Sequence, residues 1–174
     1  MEKIFYTDKS AFPSSISAVE RILSTHFGVN TPKISRTANG KPYLENPKKQ
    51  LFFSVAHTTT SLFIAFSDNN VGIDAERLDR AVNYAPILRK FPAEERCEIK
   101  NTEDFLRHWT VKESAIKWLG GKLSQDLNDL SYIQDILRYE SLELPLHVTT
   151  VVFQKHILSI CCERDFSRAE FIPL

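Results

Sequence analysis

Glycine is scarce in this chain, five residues in 174. No Gly/Ser-rich linker, low-complexity tract or repeat at solenoid period appears either, which argues against tethered modules and stacked-repeat architectures. One continuous domain is the expectation. Cysteine is scarcer still: Cys97, Cys161 and Cys162 are an odd set without CxxC spacing, two of them adjacent in strand-like sequence, so reduced core or surface thiols are expected. Excess charge of either sign is missing, with 22 Lys+Arg against 22 Asp+Glu. No global field therefore pulls the protein toward nucleic acid or an anionic membrane, and any anion site must be local. Long apolar runs are also lacking. Nothing approaches the roughly 18 residues of a membrane span, and the opening "MEKIFYTDKSAF" has no signal-peptide core, so a soluble, cytoplasmic protein is expected.

What is present is a 43% hydrophobic composition, enough at this length for one well-buried core or for two small halves sharing one. After a short strand around Ile4 to Tyr6, "SSISAVERILSTHFG" sets Ile16, Val19, Ile22, Leu23 and Phe27 at helical spacing, with serines before it and Gly28 after it. "LFFSVA", "SLFIAFS" and "VGIDAE", separated by "HTTT" and "SDNN", predict an antiparallel meander. Past Leu78 the period lengthens to three and four. Two or three helices are expected, the firmest over Thr102 to Leu119, with Thr102 as N-cap, Glu103 and Asp104 in the first turn and Gly120-Gly121 as the stop. The tail, "HVTTVVFQ", "HILSICCE" and "AEFIPL", returns to strands. The order predicts an α+β fold with two similar halves meeting near residue 80, 1–80 with the D-x-E strand and 81–174 with the W-x-x-K-E helix.

Residues 74 and 76 of "VGIDAER" project to the same face of a strand, so Asp74 and Glu76 converge on one point. For an isolated D-x-E the plain alternative is a solvated strand end. Two carboxylates held together suit a hard cation such as Mg²⁺, which takes few protein oxygens and keeps positions for water and substrate phosphate. A third oxygen ligand would come from "WTVKESAIKWLGGKL", where Trp109, Glu113 and Lys117 fall four apart on one helical stripe. Read alone, Glu113 and Lys117 are an ordinary surface pair. Two other stretches suit phosphate. The Asn39-Gly40 turn, stiffened by Pro42, displays Lys41, and His57 stands at a strand end before the hydroxyls of "TTTS".

Taken in order, "GKPYL", "FSVAHT", "GIDAE", "FPAEE" and "WTVKESAIKWLGGKL" resemble the motif series of the 4′-phosphopantetheinyl transferases, especially the surfactin-synthetase-activating type, over Arg36 to about Leu123. The resemblance implies two pseudo-symmetric α+β halves with the active site between them. It also implies Mg²⁺-dependent transfer of the phosphopantetheine arm of coenzyme A to a serine of an apo acyl, peptidyl or aryl carrier protein, with release of 3′,5′-ADP. By the same resemblance Asp74, Glu76 and Glu113 are metal ligands, and Glu113 is also the proposed base for the serine. Lys117 approaches the phosphates, Lys41 and Pro42 lie against the nucleotide, His57 binds coenzyme A phosphate and Arg36 is an upstream nucleotide contact. Glu95 matches an acidic position whose role stands open between structure and assistance to the base.

Three features depart from that pattern. Ala56 replaces the usual serine before the histidine, so a phosphate hydroxyl is missing unless Thr58 supplies it. The chain is shorter than typical surfactin-type members, and "GGK" replaces alternating glycines after the helix. A non-catalytic relative that binds coenzyme A or a carrier protein, and an unrelated Mg²⁺-dependent phosphohydrolase, are the competing classes. A monomer is expected, because both halves of the site lie in one chain. The carrier's pathway, whether fatty acid, polyketide or nonribosomal peptide synthesis, is not written in these residues.

Overall fold

The structure, a computed structural model, describes residues 1–45 and 50–174. In chain order its elements are β1 (Lys3–Asp8), α1 (Ser15–Phe27), β2 (Ile34–Arg36), β3 (Pro42–Leu44), β4 (Phe52–His57), β5 (Ser61–Ser67), β6 (Val71–Arg77), α2 (Ala85–Leu88), α3 (Ala93–Glu98), α4 (Thr102–Leu119), α5 (Leu123–Asp126), β7 (Leu130–Ile133), β8 (Ile136–Tyr139), β9 (Leu142–Glu143), β10 (His147–Phe153), β11 (His156–Cys162) and β12 (Glu170–Pro173). The fold is α+β, as the sequence pattern predicts.

α1 begins at a reciprocal cap: the Ser14 hydroxyl accepts the Ser17 amide at 3.1 Å, and the Ser17 hydroxyl accepts the Ser14 amide at 3.1 Å. Gly28, at φ 67°, ends it in the left-handed region. Its buried stripe of Ala18, Val19, Ile22 and Leu23 packs on Phe5, Phe53, Leu62, Ile64 and Phe66, one face of a sheet ordered β12-β1-β5-β4. β12 lies parallel to β1 and the other pairs are antiparallel. The opposite face, with Ile4, Ala56, Phe63 and Ala65, packs on Val71, Ile73 and Ala75 of β6 and on Leu158, Ile160 and Cys162 of β11. β5 is therefore covered on both sides, which is why "SLFIAFS" reads as an almost unbroken apolar run.

β6 and β11 belong to a second antiparallel sheet, ordered β10-β11-β6. Its far side carries Ile157 and Cys161 against Phe105, Val111 and Ala115 of α4 and its approach. The layers run helix, sheet, sheet, helix. This corrects the expected meander. β4 pairs with β5, but β6 pairs with β11, from Val71 opposite Cys162 to Arg77 opposite His156. "SDNN" carries the chain from one sheet to the other, so that Val71, Ile73 and Ala75 bury face to face against β5; edge-to-edge pairing would forfeit that burial. The adjacent thiols Cys161 and Cys162 are both buried and free, one toward α4 and one toward the first sheet, while Cys97 is exposed and free.

α4 is capped by Asn101 rather than by Thr102. Asn101 is extended, at φ −148° and ψ 179°, and its side chain accepts the Asp104 amide at 2.9 Å, which makes Thr102 the first helical residue. At the other end Gly120, at φ 69°, closes the helix. β7, β8 and β9 form a small antiparallel sheet over a stretch for which the sequence pattern predicts nothing. Among the described residues no helix is long and apolar enough to cross a membrane.

Candidate active site

The site begins where α4 crosses β6. Gly72, Asp74 and Glu76 share one face of β6, and α4 lies directly over Gly72. A Cβ there would stand 1.9 Å from the Ser114 carbonyl oxygen and 2.6 Å from the Trp118 amide nitrogen. Only glycine admits this approach. Beyond the crossing the next two residues on that face, Asp74 and Glu76, emerge from under the helix, with side chains 13% and 16% exposed.

The stripe of Trp109, Glu113 and Lys117 meets them there. Lys117 Nζ donates to Asp74 Oδ1 at 2.7 Å and to the Ile73 carbonyl at 3.0 Å. Asp74, Glu76, Glu113, Trp109 and His57 line a cleft of about 170 Å³, whose apolar wall includes Phe105 and Ile87. Lys117 also lines a second cavity of about 230 Å³ with Asn39, Gly40, Pro42, Ser54 and Gly120. The Asp74–Lys117 pair thus stands between the two.

The electrostatics are those of crowded negative charge. Burial pushes the Asp74 carboxyl above the usual carboxylate range, against the lowering pull of Lys117. Glu113 is pushed up to about 7, first by burial and then by repulsion from Asp74, with Lys117 opposing and Glu76 adding to the rise. The His57 imidazole is held below its ordinary value by burial, then by Lys9 and Lys117.

Asp74, Glu76, Glu113, Lys117 and His57 are therefore brought together, Lys41 and Pro42 line the second cavity with Lys117, and Arg36 and Thr58 line neither. Lys41 is not displayed outward. Its ammonium turns in and donates to Asn70 Oδ1 at 2.7 Å and to the carbonyls of Val71 and Trp118 at 3.3 Å each, and burial lowers its pKa to about 8. It ties the β2–β3 loop to the start of β6 and the end of α4. Pro42 lines the second cavity beside it. Arg36 is exposed and donates to the Gly40 carbonyl at 2.8 Å, closing its own hairpin. Thr58 is turned inward: its hydroxyl accepts the Ser61 amide at 3.1 Å and lies 3.3 Å from His156 Nε2. It serves the turn after His57 and does not reach the cleft. Glu95 is fully buried, its carboxylate held by Lys112 at 2.8 Å and His108 at 3.1 Å.

Two contributors were missed by the sequence pattern. Arg80, in the loop after β6, lines the cleft and pairs with Glu76; its signal was the i,i+4 spacing in "ERLDR". Asn70, at the sheet-to-sheet corner, donates to the Trp118 carbonyl at 2.7 Å; it had read only as a turn residue.

Does this donor set suit a divalent cation? Among the described residues no three His, Cys, Asp or Glu groups already stand close enough to hold a metal, because Asp74 leans on Lys117 and Glu76 on Arg80. The chemistry fits nonetheless. The three groups are hard carboxylate oxygens, and Glu113 is half-buried under the repulsion of the other two, an excess of negative charge that a cation such as Mg²⁺ relieves. A family model described as the 4′-phosphopantetheinyl transferase superfamily matches residues 70–161, more than half of the chain, from the corner before β6 to the end of β11. No curated protein matches.

Proposed function

We propose, because the chain belongs to the 4′-phosphopantetheinyl transferase superfamily, that it moves the phosphopantetheine arm of coenzyme A onto a serine of an apo acyl or peptidyl carrier protein and releases 3′,5′-ADP. The observation that carries this reading is that Asp74 and Glu113, from segments some forty residues apart, line one cleft while Lys117 of the second cavity pairs with Asp74. The order of motifs from "GKPYL" to "KESAIK" supports the surfactin-synthetase-activating type.

In this reading Asp74, Glu76 and Glu113 would hold Mg²⁺. When bound, that cation would supply neutralisation of charge on the substrate's phosphate oxygens. Glu113 takes the proton of the carrier serine, directly or through water. The serine oxygen attacks the phosphorus that bears the pantetheine arm, and the bond from that phosphorus to the departing 3′,5′-ADP breaks. Lys117 spends two of its three N–H donors on Asp74 and the Ile73 carbonyl and turns the third to the leaving phosphate. His57 meets the coenzyme A phosphates from the rim of the cleft. Pro42, with the loop that Lys41 ties down, borders the nucleotide in the second cavity, Arg36 closes the hairpin that carries that loop, and Thr58 supports the turn that carries His57.

We take residues 1–80 and 81–174 as two halves that share this site in a cytoplasmic monomer. The test is to incubate the protein with Mg²⁺, coenzyme A and a panel of apo carriers, and to read carrier mass together with particle mass by light scattering. A phosphopantetheine-sized gain on some carrier supports transfer and identifies the pathway. Tight coenzyme A binding without a gain replaces the proposal with a binding role, nucleotide hydrolysis without transfer replaces it with a phosphohydrolase, and a stable trimer overturns the monomer.

A further inference from the structure

The three carboxylates of the cleft are not treated alike. Asp74 has Lys117, Glu113 has no ion-pair partner among the described residues, and Glu76 has Arg80, whose Nη1 donates to Glu76 Oε1. Arg80 is placed by a turn at the end of β6, where its amide donates to the Arg77 carbonyl at 3.2 Å and folds the side chain back over Glu76. The two groups differ in depth. Glu76 is 16% exposed and Arg80 48%, so the guanidinium approaches from the mouth of the cleft and has solvent to retreat into. The guanidinium next to Glu76 in sequence, that of Arg77, is committed elsewhere, with Nε and Nη2 on the two oxygens of Asp79 at 2.7 and 2.6 Å.

We infer that Arg80 is an internal counter-ion which competes with a divalent cation for Glu76, so that metal enters only by displacing it. This rests on the proposed metal-binding role of Asp74, Glu76 and Glu113. A guanidinium and a divalent cation cannot both take the inward lone pairs of Glu76, and their mutual repulsion at such separation is unfavourable. The competition costs the protein metal affinity. In return, Glu76 is not left as an uncompensated, largely buried charge when metal is absent.

The experiment is direct titration of the full chain with Mn²⁺, followed by electron paramagnetic resonance or calorimetry, without coenzyme A or carrier. Arg80→Ala is expected to tighten Mn²⁺ binding about threefold or more, the size of effect a half-exposed ion pair supports. Arg80→Lys, which keeps the charge, is expected to tighten it less. Arg77→Ala removes the same charge nearby without freeing Glu76 and is expected to leave the affinity unchanged. Equal affinity in Arg80→Ala and the parent, or equal tightening in both arginine variants, overturns the inference while the metal reading stands. Absence of any Mn²⁺ binding that depends on Asp74, read with Asp74→Ala, overturns both.

Discussion

Gly72 and Ser114 leave no space for a methyl group between them: a Cβ on Gly72 would lie 1.9 Å from the Ser114 carbonyl oxygen, a backbone atom that no rotamer change can move. The contact sets the height of α4 above β6, and with it the reach of Glu113 and Lys117 to Asp74. Gly72→Ala is therefore expected to destabilise the protein by about 3 kcal/mol or more, at the upper end of overpacking costs. Transfer is expected to fall by about a hundredfold even in the folded fraction, since displacement of a positioned group by about 1 Å has that effect. Denaturant unfolding and carrier-mass kinetics read the two losses. A variant of parental stability shows that the helix does not rest on the strand in this way.

The Lys117–Asp74 pair gives a coupled outcome. Asp74→Ala removes no core volume and is expected to abolish transfer with little change in melting temperature. Lys117→Ala leaves Asp74 and Glu113 facing each other without a cation and is expected to slow transfer as well. Groups that serve one transition state act as a unit, so the double variant should be little worse than the slower single one. Rates that multiply across the double-mutant cycle separate the two residues into independent roles.

Glu113 links the site to pH. Its carboxyl moves from an ordinary 4.5 to about 7 in the folded protein, so between those values the native state keeps a proton that the unfolded chain has released. Stability therefore falls as pH rises from about 4.5 to about 7 and is flat in this respect outside that window. The full linkage is on the order of 3 kcal/mol, from 1.36 kcal/mol per unit. Without divalent cations, Glu113→Gln is expected to flatten that slope and to melt no lower than the parent at pH 7. It should nevertheless reduce turnover about a hundredfold or more if the carboxylate is the base. Parallel stability curves for parent and variant across that window sink the assignment of the raised group.

The parts of the molecule that were legible in advance are those whose signals are local. α1 and α4 announce themselves by spacing and by their terminal glycines, β5 and β11 by apolar runs, and the Asp74/Glu76 face and the Trp109–Glu113–Lys117 stripe by the periods of strand and helix. What could not be read depends on distant partners. Nothing within "VGIDAER" says that β6 prefers β11, because the choice is made by burying Val71, Ile73 and Ala75 against β5. The inward turn of Lys41 depends on the carbonyl of Trp118, 77 residues away. The sheet of β7, β8 and β9 was missed for a chemical reason. Its turns are Gln134-Asp135 and Glu140-Ser141, and the β10–β11 turn is Gln154-Lys155, all with positive φ at both positions. They take the tight hairpin form that Asn-Gly or Gly-Gly usually advertises.

Lys112 and Glu113 are neighbours on α4 that point opposite ways, and the buried one gives the last expectation. Lys112 Nζ lies 2.8 Å from Glu95 Oε2 and 3.8 Å above the centre of the Phe91 ring, and both charged side chains are wholly enclosed. His108 completes the cluster from the other carboxylate oxygen. Burial lowers the Lys112 pKa and Glu95 raises it, so the ammonium depends on its partner. Lys112→Met leaves Glu95 enclosed with His108 alone, and Glu95→Met leaves an enclosed ammonium with no carboxylate partner. Each is expected to cost about 3 kcal/mol or more, the usual consequence of stranding one partner of a buried pair. Replacing both at once, as Glu95→Met with Lys112→Met, removes both desolvated charges and fills the space with apolar atoms. The double variant should therefore be more stable than the sum of the single losses by about 2 kcal/mol or more. Denaturant unfolding of the four proteins measures that coupling, and strictly additive losses show that the pair is held by packing against Phe91 rather than by its charges.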